Sequence, residues 1–68
     1  MIKLKSTNGY TAMVNPSNIC YMFSFRGSRG IITEIHFAGK TVITVEQTIA
    51  QIESLIHKTT VQGKELNQ

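Results

Sequence analysis

Aspartate is absent from this chain of 68 residues, and cysteine and proline occur once each. With Cys20 alone, no intrachain disulfide can staple the fold. That thiol and two scattered histidines make no metal-ligand set of recognisable spacing, so neither metal nor other cofactor is expected. The four acidic residues are all glutamates, and no two stand at a spacing suited to paired-carboxylate chemistry. No apolar run approaches the ~20 residues a membrane-spanning helix needs. The opening MIKLK has no apolar segment behind its lysines, so a secretory signal is not expected there. These absences point to a non-enzymatic protein in a reducing cytoplasm, bacterial or that of a host if phage-encoded.

What is present has room for one domain. A chain this short buries only about 60% of the surface its unfolded form exposes. Small folds compensate with disulfides, a metal or self-association, and the first two lack support here. Seven Lys/Arg against four Glu give a net charge of +3, which eases contact with anions without diagnosing nucleic-acid binding.

Apolar alternation marks the strands. Ile2 and Leu4 alternate with Lys3 and Lys5, and Asn8-Gly9 then signals a tight hairpin in which both residues tolerate positive φ. Tyr10, Ala12 and Val14 form a second strand, closed by the turn Asn15-Pro16-Ser17-Asn18. The aromatic stretch ICYMFSFR is a third strand, IITEIHF a fourth and TVITV a fifth, with Gly27-Ser28-Arg29-Gly30 and Ala38-Gly39-Lys40 as links. Thr44 and Gln47 have the spacing of a capping box, predicting a helix from about Val45. Val45, Ile49, Ile52, Leu55 and Ile56 supply its apolar stripe. The fold class expected is α+β, mainly β: a five-stranded antiparallel meander, strongly twisted or barrel-like, with one C-terminal helix. Residues 1–58 form the domain, and 59–68 read as a polar, disordered tail.

Strict alternation assigns faces. It places Tyr21, Phe23, Phe25, Ile31, Ile35 and Phe37 toward the helix, with Met13, Cys20, Met22, Ile32 and Val42 on the opposite side. A solvated sheet face should be polar, so this second group is read as the interface of a homo-oligomer. Glu34 and His36 share a strand face, and a Cys–His dyad would need Cys20 or Met22's neighbourhood across from them. No orienting group or oxyanion site accompanies such a pair, and a buried thiol beside a surface ion pair is the simpler arrangement. No catalytic residue is assigned. Lys5, Arg26 and Arg29 gather at the end where the helix begins, the chain's candidate anion-binding group.

The order of these signals is familiar. MIKL at the start, NG, then VN before an isoleucine-led strand, a later GK and V.E, and a closing amphipathic helix resemble the FlbD-type flagellar, or swarming motility, family. The Arg-Gly-Ser-Arg-Gly turn and the aromatic third strand depart from that family's pattern. Small phage proteins share the layout. The resemblance implies an accessory role in motility through protein contacts, without catalysis. Two functions are therefore carried forward: a self-associating module that binds a protein partner, and an oligomeric binder of anionic nucleotides or nucleic acid that sequesters its ligand.

Overall fold

The computed structural model describes residues 1–66, with side chains through Lys58; Asn67 and Gln68 lie outside the described residues. The elements run β1 (Ile2–Lys5), β2 (Thr11–Val14), β3 (Ile19–Gly27), β4 (Gly30–Phe37), β5 (Val42–Val45) and α1 (Ile49–Leu66). All strand pairs are antiparallel. The five strands are divided, however, between a β1-β2 ribbon and a β3-β4-β5 sheet, and no barrel closes. The break in the expected meander falls at Asn15-Pro16. Pro16–Asn18 is a single 3-10 turn, opened by the Asn15 Oδ1 accepting from the Ser17 amide at 3.1 Å. That turn carries the chain away from β2 rather than folding it back along it.

The ribbon instead meets the sheet at the opposite edge. Ser6 bridges Val45, the Thr7 amide donates to the Thr44 carbonyl at 3.0 Å, and the Glu46 amide donates to the Lys5 carbonyl at 2.9 Å. Ile2, Leu4, Val14, Ile35, Val45 and Ile52 form the buried apolar core. Ala12, Ile19, Met22, Phe37, Ile43, Leu55 and Ile56 pack around it.

The first hairpin is built differently from the expected two-residue turn. Only Gly9 takes positive φ (+89°), and Ser6 donates to the Tyr10 carbonyl across a three-residue loop. A turn followed by a left-handed glycine is the usual three-residue solution. Between β4 and β5 both Gly39 (+86°) and Lys40 (+70°) are left-handed.

The helix also starts later than the Thr44–Gln47 spacing indicates. Thr44 lies in β5 opposite Glu34, and its hydroxyl meets that of Thr7 at 2.7 Å. The capping box is Thr48–Gln51: the Gln51 amide donates to the Thr48 Oγ1 at 3.1 Å, and the Thr48 amide to the Gln51 Oε1 at 2.8 Å. At the far end the helix continues through Leu66, where a disordered tail was expected from Thr59.

Candidate interaction face and cleft

The faces of β3 are reversed from the alternating reading, and one residue is responsible. Ile19 pairs with Phe37, but the next pair is Tyr21 with His36, so Cys20 is an extra residue in the ladder, a β-bulge. Beyond it, Met22 pairs with Ile35 and Ser24 with Thr33 on the core side. Tyr21, Phe23 and Phe25 oppose His36, Glu34 and Ile32 on the outer side. Met22 therefore joins the core, against its assignment to the outer surface. The three aromatic rings, expected beneath the helix, face outward. Ile32 and Val42 do lie on this outer face, and Cys20 is exposed at the bulge rather than buried. Met13 is exposed on β2 of the ribbon, beside a cavity of about 400 Å³ lined also by Phe37 and Ile43 of the sheet, and does not belong to the outer face.

The outer face is ordered by ring contacts. His36 stacks on Tyr21 with centroids 4.2 Å apart and planes at 13°, and lies 5.8 Å from Phe23. Phe23 and Phe25 are 6.2 Å apart. Glu34 Oε2 and His36 Nε2 meet at 2.6 Å, tying together the two polar side chains that β4 presents on its outer side, in the middle of the aromatic surface. Neither Cys20 nor Met22 stands across from this pair; Tyr21 and Phe23 do. Tyr21 remains 56% exposed, Val42 46%, Phe23 43% and Phe25 41%, so the chain leaves its most aromatic surface to solvent. Gly27 makes room at the hairpin end, since a Cβ there would meet the end of the Ile32 side chain.

At the same end of the molecule, a cleft of about 920 Å³ lies between the first hairpin, the β3–β4 turn and the helix start. Its lining includes Lys5, Thr7, Ser28, Arg29, Glu46 and Thr48. The structure thus gathers Lys5 and Arg29, and leaves Arg26 out of the lining. Glu46 sits among them and offsets part of their charge. Thr7, Ser28 and Thr48 also line the cleft; the Thr7 hydroxyl meets that of Thr44, and the Thr48 hydroxyl accepts from the Gln51 amide. Among the described residues, no three His, Cys or acidic side chains stand close enough to hold a metal ion, and no helix is long and apolar enough to cross a membrane.

No protein-family model, curated protein or solved structure matches the chain.

Proposed function

We propose that this protein is a small non-enzymatic interaction module that self-associates and acts by docking on a protein partner. The observation that carries this reading is the outer sheet face, with its aromatic row Tyr21, Phe23 and Phe25 left 41–56% exposed. Exposed, contiguous apolar surface is the usual mark of a contact site. Aromatic residues are also the type enriched at interface centres. The chain's own core is small, and self-association through this part of the sheet would bury surface that the fold of one chain leaves open. The flagellar resemblance fits an accessory motility role exercised in the cytoplasm through such contacts. Size-exclusion chromatography with light scattering tests the first half. A mass above that of one chain is expected, falling to the monomer in Phe23→Glu; a monomeric wild-type protein overturns the reading.

A second reading is favoured by the cleft. Two cations against one carboxylate, with three hydroxyl-bearing side chains, around an open space of ligand size suit a phosphorylated small molecule, such as an anionic nucleotide. Thermal-shift measurements against nucleotides at two salt concentrations check it. Binding should raise the melting temperature by mass action and weaken with salt, and Arg29→Ala should abolish the shift. No shift with any nucleotide rejects it.

A further inference from the structure

We infer that two copies of this chain join edge to edge, β3 against β3 of the second copy, around a two-fold axis passing by Phe23. The inference rests on the self-association proposed above and gives it a geometry. β3 is an edge strand: β4 lies on one side of it, and β2, the only neighbour the sequence order offers on the other, is committed to β1. At nine residues it is the longest strand. Long edges are normally defended by lysine, proline, inward charge or a central bulge. β3 has no lysine or proline, its one charge is Arg26 next to the hairpin turn, and its bulge sits at the far end.

The second copy is argued from the strand itself. An antiparallel two-fold pairing brings a strand against its own reverse, so a self-complementary edge is all it requires. Phe23 is the midpoint of Ile19–Gly27, and centring there overlaps the whole strand. That register sets Phe23 against its counterpart and Tyr21 against Phe25 of the second copy. Such cross-strand aromatic pairs are among the more stabilising in sheets. The rings of both copies then run as one row across a continuous outer face. Charge supports the same register. Each Arg26 falls opposite the other copy's Cys20, which holds the two guanidinium groups about 20 Å apart along the strand at ~3.4 Å per residue. This exceeds the ~10 Å screening length at ordinary salt. Moving the axis toward the hairpin brings the arginines together and shortens the overlap. Moving it the other way also shortens the overlap and drives the bulge into the middle of the pairing. Tyr21 to Phe25 is the regular stretch that pairs best.

The test uses the unmodified chain: light scattering for mass, and NMR on a mixture of isotope-labelled and unlabelled protein. Expected are a mass twice that of the chain and intermolecular contacts linking backbone protons of Met22, Phe23 and Ser24 to β3 of the other copy. A dimer whose intermolecular contacts join only outer-face side chains means that the faces stack. That result overturns edge pairing while self-association stands. A monomer overturns both.

Discussion

Among the described residues, Thr33 is the one polar side chain in the core, fully buried, and it is fully used. Its hydroxyl donates to the Gln47 carbonyl at 2.7 Å and meets the Ser24 hydroxyl at 3.0 Å. The first bond ties the middle of β4 to the link that leads from β5 into α1, where a carbonyl would otherwise be stranded. Thr33→Val keeps the shape and removes the donor. The expected loss is about 1–2 kcal/mol, the cost of leaving a half-buried carbonyl without its donor, read as a lower urea midpoint with unchanged slope. Lys40 carries a strain of another kind. At φ +70° its Cβ crowds the neighbouring carbonyl, a penalty of roughly 1 kcal/mol or more that glycine escapes. Lys40→Gly should therefore stabilise the protein slightly, by about 0.5–1 kcal/mol, measured in the same denaturation series. A decrease would mean that the lysine side chain contributes something its turn geometry does not reveal.

The helix boundary turns on two copies of one local pattern, Thr44-Val-Glu-Gln47 and Thr48-Ile-Ala-Gln51. Either could cap a helix, and nothing within four residues separates them. Tertiary hydrogen bonds decide: the Thr44 carbonyl accepts from Thr7, so the strand keeps the first threonine and the second becomes the cap. Thr48→Ala is expected to cost about 1 kcal/mol and reduce helicity by circular dichroism. Thr44→Ala should leave the helical signal in place, because its hydroxyl is bonded to Thr7 instead. The strands, the three pairings β1-β2, β3-β4 and β4-β5, and the inward residues Thr33, Ile35 and Phe37 of β4 could be read from alternation and short links, whereas the split after β2 and the exposure of Ile31 could not. Nor could the faces of β3. Apolar residues occupy both of its parities, so an extra residue leaves no gap in the pattern, and Ile19 inward gives no warning that Tyr21 turns out. The cleft was partly readable, since Lys5 and Arg29 follow from strand order, while the contribution of Thr7, Ser28 and Thr48 depends on how the two sheets meet.

Taken as one body, the protein divides its apolar residues between an interior and a surface. The interior is a shared pocket among the β1-β2 ribbon, the inner side of the larger sheet and α1; the surface holds most of the rings. Substitutions on the two sides should therefore separate cleanly. Ile35→Ala, at a position with no exposure, should cost about 2–5 kcal/mol and unfold much of the population. Phe23→Glu should leave the fold of a single chain intact by circular dichroism and change only the mass observed by light scattering. If Phe23→Glu unfolds the chain as Ile35→Ala does, folding and association are a single event. The bulge at Cys20 adds a point about chain length. Strike out that residue and β3 reads Ile-Tyr-Met-Phe-Ser-Phe, an unbroken in–out rhythm with every ring still turned outward. Codon 20 is thus where this strand can lose a residue without exchanging its two sides, and among diverging descendants of the chain, gaps within β3 should collect there.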